Sequence, residues 1–357
     1  MSQIEDTIRS IRPQDQSWRG KARARLEQLT MPYWALGRLM DLAEDLAGMT
    51  QSLRPPVARK AIVVMAGDHG VVAEGVSKYP QVVTQQMVHN FVGGGAGINA
   101  LARQVGARVL VVDMGVAASL DELVSGGKIV SKRIAPGTRN IARGPAMSRE
   151  QAIRSIEAGI EVVEEMGDSV DLLGTGDMGI GNTTPSSAIV AAITGCSAAE
   201  ATGRGTGIGD EQLQHKISVV GQALRVNRSD GSDASDGLDV LAKVGGFEIG
   251  GIAGVILASA SRRKPVLVDG FISTAGALIA KALAPASVEY MIAAHTSAEQ
   301  GHRLSLQHLG KRPLLDLEMR LGEGTGAALA MNIVEAAVRI LTDVKTFEEA
   351  SVSKAER

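Results

Sequence analysis

The stretch Lys60-Ala61-Ile62-Val63-Val64-Met65-Ala66-Gly67-Asp68-His69-Gly70 decides the fold. A short, continuous apolar run breaks off abruptly in glycine and charge. It lacks the alternation of a half-buried strand, and its length fits a strand covered on both faces of a parallel sheet. The same grammar recurs along the chain. Arg108-Val109-Leu110-Val111-Val112 runs into Asp113 and Gly115, and Val170-Asp171-Leu172-Leu173 into Gly174-Thr175-Gly176-Asp177. Residues 265–268 end at Asp269-Gly270, and 290–294 end at His295-Thr296-Ser297. Helical patterns occupy 84–91, 97–104, 148–166, 185–194 and 274–283 between the runs. Strands alternating with helices imply βαβ units and an α/β, doubly wound parallel sheet. Ligands bind beyond the carboxyl ends of such strands, where each run already ends in a polar cluster.

Both flanks read as helical. Residues 15–31 mix Arg, Ala and Leu up to Pro32, and Leu36, Leu39, Met40, Leu42, Ala43 and Leu46 mark an amphipathic face. Pro55-Pro56 reads as a boundary. After Ala330, the residues Ile333, Val334, Ala337, Val338, Ile340 and Leu341 form another apolar face. The expected division is a large α/β domain at 57–325 and a small helical domain built from 1–56 and 326–357. Residues 227–236, rich in Ser, Asp and Gly, read as an exposed loop.

Composition narrows the function. The 357 residues are 45% hydrophobic but 3% aromatic, and 42 glycines exceed average usage. Net charge is −2, from 37 basic and 39 acidic residues without large blocks, so neither nucleic acid nor a membrane surface is an expected partner. Cys196 is the single cysteine, read as a buried structural thiol. The chain opens polar and no apolar run reaches about 18 residues. No signal peptide or membrane span is therefore expected, and the compartment expected is the cytoplasm.

Two glycine clusters carry chemistry. Gly174-Thr175-Gly176-Asp177-Met178-Gly179-Ile180-Gly181-Asn182-Thr183-Thr184-Pro185 follows a strand and precedes a helix. Free N–H groups at such a junction bind phosphate; otherwise the segment is a plain turn. The residues 203–209 make a phosphate cradle the better reading, with Arg204 and Lys216 as added donors. Asp68-His69 suggests acid/base work or a structural hydrogen bond, and no metal-ligand spacing accompanies it. Gly93-Gly94-Gly95 reads as a hinge or cap. Lys78, Tyr79 and Gln86 belong to a segment able to wall a flat heterocycle, or to an ordinary loop entering a helix. His295 and Ser297 can reach the same pocket. In Arg320-Leu321-Gly322-Glu323-Gly324-Thr325-Gly326, Glu323 stands alone between glycines. It either caps the helix that follows or serves as a general base whose burial raises its pKa.

Several stretches together resemble the nicotinate-nucleotide–dimethylbenzimidazole phosphoribosyltransferase family. They are AGDHGVVAEGVSKYPQVVTQQMVHNF at 66–91, GTGDMGIGNTTPSSA at 174–188, GRGTG at 203–207, VDGFISTAGAL at 268–278 and RLGEGTGAALA at 320–330. The resemblance implies a Rossmann-like sheet, a small helical domain from both termini and a homodimer. It implies transfer of 5-phosphoribosyl from nicotinate mononucleotide to an aromatic base, with no cofactor and no metal. By motif, Glu323 would be the general base. Asp177, Gly176, Gly179, Ile180, Gly181, Asn182, Thr183, Gly205, Lys216 and Ser297 would hold the nucleotide, and Lys78, Tyr79, Gln86 and Leu321 the base. The chain departs from the family pattern at Met31-Pro32-Tyr33-Trp34, where Lys-Pro-Pro-Gly is common, and at Asp177, where Glu is common. A nicotinamide-dependent oxidoreductase would instead show strand–GxGxxG–helix at the first strand, where GDHG stands. A non-catalytic nucleotide sensor would tolerate loss of the Glu323 charge.

Overall fold

The computed structural model describes residues 2–228 and 236–354. Six parallel strands, β1 Lys60–Gly67, β2 Ala107–Gly115, β3 Val130–Ser131, β4 Leu172–Met178, β5 Val266–Val268 and β6 Met291–Ala293, form one sheet in the order β3-β2-β1-β4-β5-β6. Val63 lies opposite Leu110 on one side and Thr175 on the other. The order reverses between β1 and β4, which makes their carboxyl ends the natural crevice.

The expected runs are strands, with one correction. β4 continues through Gly174, Thr175, Gly176 and Asp177, which the glycines suggested were loop. These glycines serve close packing. A Cβ on Gly176 would lie 2.4 Å from the Glu323 carbonyl oxygen, and one on Gly174 would lie 2.5 Å from Ile62 Cδ1 and 3.0 Å from Ala327 Cβ. Glycine in a strand marks such an approach as readily as it marks a turn.

The expected helices are present as Val82–Gly93, Gly97–Val105, Arg149–Met166, Thr183–Thr194 and Phe271–Leu283. Ser148 caps the third by accepting from Gln151 N–H, and the Gln151 side chain returns the contact. Gly94 closes Val82–Gly93 with φ of +77°, so the triple glycine is a cap. Helices Asp210–Val226, Phe247–Ser261 and Gln300–Leu309 had no clear signal. Phe247–Ser261 is apolar all round and buried at nearly every position, so no amphipathic period marks it. It meets Arg149–Met166 backbone to backbone: a Cβ on Gly159 would lie 2.0 Å from Gly251 O, and one on Gly254 2.0 Å from Ile156 O.

Helix Thr325–Asp343 is long and apolar enough to cross a membrane by length and composition. Half of its apolar window is buried inside the protein, against β4 and helices Arg38–Thr50 and Gly97–Val105. The chain ends meet here, since Arg25 Nε donates to Leu341 O at 2.8 Å and Thr30 N to Lys345 O at 3.0 Å. Helix Gln3–Ser10 packs elsewhere, on Phe247–Ser261 and Arg149–Met166. Of the loop expected at 227–236, residues 229–235 lie outside the described residues. Asn227 is buried, its Nδ2 donating to Ile141 O at 2.8 Å. Cys196 is half-buried and not the fully buried thiol expected, because it lies in the connection after helix Thr183–Thr194 with one side against the core.

Candidate active site

A cavity of about 250 Å³ opens at the carboxyl ends of β4, β5 and β6. Its walls include Asp177, Gly179 to Thr183, Gly205, His295, Ser297 and Leu321, drawn from segments far apart in the chain.

One side suits a phosphate. Thr183 opens a helix, and its Oγ1 accepts from Lys216 Nζ at 2.7 Å. Lys216 comes from Asp210–Val226 and is buried. Burial pushes its ammonium down to about 8, and the Glu299 carboxylate opposes that shift. Gly205 takes φ of +51°, and a Cβ there would stand 3.1 Å from Lys216 Nζ. Arg320 Nη1 donates to Gly205 O at 3.3 Å and belongs to the wall. Arg204 turns away, binding Ile208 O and Asp210, so it is not the second donor expected; its own loop carbonyl competes for it.

The centre is acidic. Asn182 Nδ2 donates to Asp177 Oδ2 at 2.9 Å. Burial, and after it the charge of Asp269, push Asp177 well above the ordinary carboxylate range against that hydrogen bond. Ile180 N–H is held by Thr84 Oγ1 at 3.0 Å. Ser297 N–H donates to His302 Nδ1 at 2.8 Å, and His302 Nε2 lies 2.9 Å from Thr274 Oγ1. Burial pushes His302 down to about 3, so the ring is neutral and, by this geometry, protonated on Nε2.

On the far side, Val76, Tyr79 and Leu321 offer apolar surface. Tyr79 and Leu321 are more than half exposed, at 53% and 60%. Lys78 and Gln86 point to solvent and do not wall the cavity, because the turn before Val82–Gly93 and the outer face of that helix carry them outward. Residues 31–37 do not wall it either.

Glu323 sits one residue behind the wall residue Gly322. It takes φ of +63° between Gly322 at +79° and Gly324 at +92°. A non-glycine residue in that region costs about 1–2 kcal/mol, a kind of strain that clusters at functional sites. The side chain does cap a helix, but not the one that follows it. Its Oε2 accepts from Ile98 N–H at 3.0 Å, at the start of Gly97–Val105. The following helix is capped instead by Asp269, which accepts from Gly324 N–H at 3.2 Å and Ala327 N–H at 2.9 Å. Burial raises the Glu323 pKa; the Ile98 N–H opposes the shift and Asp269 reinforces it.

His69 does not enter the cavity. It pairs with Glu248 at 2.8 Å, both fully buried, and a Cβ on Gly179 would stand 3.3 Å from its Nε2. The pair therefore backs the Gly179–Asn182 loop. Burial disfavours its charged form, but Glu248 outweighs that and raises His69. Among the described residues, no three His, Cys, Asp or Glu are grouped to hold a metal. Glu299, Arg320, Asp269 and His302 were not among the site residues expected from sequence. Only their closeness to Ser297, Glu323 and the strand ends marked them.

A family model described as phosphoribosyltransferase matches residues 11–352. A nicotinate-nucleotide–dimethylbenzimidazole phosphoribosyltransferase of Syntrophotalea carbinolica is 63% identical over 354 residues, 99% of each chain. One from Desulfotalea psychrophila is 56% identical over the full length of both. The crystal structure of the enzyme so named from Thermus thermophilus superposes with a TM-score of 0.89 at 44% identity, over 96% of this chain and 100% of that one. With its sheet order and its glycine-lined cavity at the strand ends, the chain belongs to the nicotinate-nucleotide–dimethylbenzimidazole phosphoribosyltransferase family.

Proposed function

We propose that the protein transfers 5-phosphoribosyl from nicotinate mononucleotide to 5,6-dimethylbenzimidazole or a related aromatic base. The products are α-ribazole 5′-phosphate and nicotinate, for cobamide lower-ligand assembly. The observation that carries this reading is one cavity walled by the buried carboxylates Asp177 and Glu299, by Arg320 and by an apolar rim, with buried Lys216 directly behind Thr183 and buried Glu323 directly behind Gly322.

The phosphate would lie against Thr183, Gly205 and Arg320, with Lys216 behind them. Nicotinate mononucleotide carries a positively charged pyridinium, a good leaving group. The C1′–N bond breaks with its electron pair going to the pyridine nitrogen, and C1′ gains oxocarbenium character. Asp269 and Glu323 supply a negative field for that charge, and Asp177 would meet the ribose hydroxyls. The bare nitrogen of the incoming imidazole attacks from the opposite face, which inverts the anomeric carbon. Its N–H proton passes to Glu323, a role that contributes about 10²–10⁴-fold. Tyr79 and Leu321 would flank the base, while Gly176 acts by letting the Glu323 turn approach the sheet. The protein is taken as a cytoplasmic homodimer, with 57–325 as the large domain and 1–56 with 326–357 as the helical one. Light scattering at the mass of two chains would support the dimer.

The test is incubation of purified protein with nicotinate mononucleotide and dimethylbenzimidazole, beside Glu323→Gln, following nicotinate release by chromatography. Release that drops about 10²-fold or more in the variant supports reaction and base together. Equal release by both returns Glu323 to capping alone. No release with any of a panel of aromatic bases removes the transferase reading.

A further inference from the structure

We propose that Asp269 is the positioning residue for Glu323, holding the turn that carries it and supplying a fixed negative charge beside it. This rests on Glu323 acting as the base.

Asp269 ends β5 and is fully buried. Its own N–H lies 3.3 Å from Thr175 Oγ1 on β4, which anchors it to the neighbouring strand. Both of its carboxylate oxygens reach the start of helix Thr325–Asp343, Oδ2 to Gly324 N–H and Oδ1 to Ala327 N–H. That helix has no cap of its own, since Gly324 stands at its N-cap position. Gly322, Glu323 and Gly324 all have positive φ, so the turn persists only where its surroundings fix it. Asp269 fixes it on one side and the Ile98 N–H on the other.

The second part is electrostatic. The groups facing Glu323 are the Ile98 N–H, Asp269 and, across the cavity wall, Asp177. Asp269 in turn faces His295, 3.9 Å away, and the helix N-terminus. Burial raises Asp269 above the ordinary carboxylate range, and His295 and those N–H groups hold that rise down. A fixed charge beside Glu323 makes it the stronger proton acceptor. An uncharged residue of the same shape keeps part of the geometry and none of this.

The experiment compares wild type, Asp269→Asn and Glu323→Gln across pH with nicotinate mononucleotide and dimethylbenzimidazole, together with circular dichroism and melting. Asp269→Asn should lose about tenfold or more in kcat, with KM for the nucleotide changed less than about threefold. Its acid limb should move to lower pH, because a lost neighbouring charge lowers the Glu323 pKa. Unchanged kcat, or a fall with the acid limb unmoved, overturns the proposal; the latter outcome leaves Asp269 a structural cap only. If Asp269→Asn does not fold, Asp269→Glu decides, because it keeps the charge and moves the carboxylate from the Gly324 and Ala327 N–H groups. A kcat lower by about threefold or more in a natively folded variant supports the positioning, and an unchanged kcat overturns the proposal. An active Glu323→Gln removes the base reading itself. An inactive Glu323→Gln beside an indifferent Asp269→Asn removes this inference alone.

Discussion

The Glu323 carboxylate accepts from the backbone N–H of Ile98 at 3.0 Å, across 225 positions of sequence. The neighbouring Gly97 leaves room for it. A Cβ there would lie 2.8 Å from Leu321 Cδ2 and 3.3 Å from Glu323 Oε2. Gly97→Ala should displace the carboxylate by a few tenths of an ångström and lower kcat by about three- to tenfold, since positioning errors of this kind are costly. Steady-state kinetics with a parallel melting curve checks that activity falls more than stability does.

Asp177 carries a pH signature in stability. Its folded pKa lies above its unfolded one, so the folded state binds the proton more tightly. That contribution is fully present below the ordinary aspartate value and is lost as pH rises through the window up to the folded value. Asp177→Asn keeps an acceptor for Asn182 and removes the titration. At about pH 8 the variant should melt higher by on the order of 2 °C, and the wild-type decline with pH should flatten. Turnover should fall about tenfold or more. Melting curves over the pH range test the first claim; a variant less stable at every pH contradicts it.

The proposed role of Lys216 beside the phosphate predicts a pH dependence of nucleotide binding. With its pKa at about 8, Lys216 loses its charge as pH rises beyond that value. KM for nicotinate mononucleotide should climb there while kcat holds. Lys216→Met should raise KM by about 10–100-fold and abolish this climb, as expected for removing a buried positive charge behind the phosphate and the donor that orients Thr183 Oγ1. A KM that stays flat with pH in the wild type contradicts the assignment.

Gly176→Ala tests the packing of β4 under the Glu323 turn. The added methyl would stand 2.4 Å from the Glu323 carbonyl oxygen and 2.9 Å from Gly324 N. Backbone must move, so activity should drop about 10²-fold or more, with a loss of stability of about 1–3 kcal/mol. A variant with native kinetics excludes a close constraint at this contact.

The sheet was legible because strands buried on both faces leave unbroken apolar runs, and Lys60–Gly67 is one such run. Helix Phe247–Ser261 was illegible for the same physical reason in reverse: buried on every side, it has no polar face to set a period. Glycine was ambiguous. Gly205 and Gly207 make the positive-φ turn they suggested, whereas Gly174 and Gly176 are strand residues that admit a neighbour. The cradle of Thr183 and Lys216 could be guessed from the glycines around it. The capping exchange could not: Glu323 caps a helix that begins at Gly97, and Asp269 caps the one beginning at Thr325. Both are contacts between segments that only the tertiary fold brings together.

Helix Thr325–Asp343 has 19 residues, about 28 Å at 1.5 Å per residue. Its first turn abuts Glu323, while its last turn is tied to Arg25 through Leu341 O and its flank lies on Arg38–Thr50. Mechanically it is a lever arm with the proposed proton acceptor at one tip. A tilt of about 5° about the far end moves that tip by roughly 2.5 Å for a rod of this length, several times the tolerance of a proton transfer. Softening of the terminal helices on warming would therefore silence the chemistry while the sheet is still intact, and inactivation should precede unfolding.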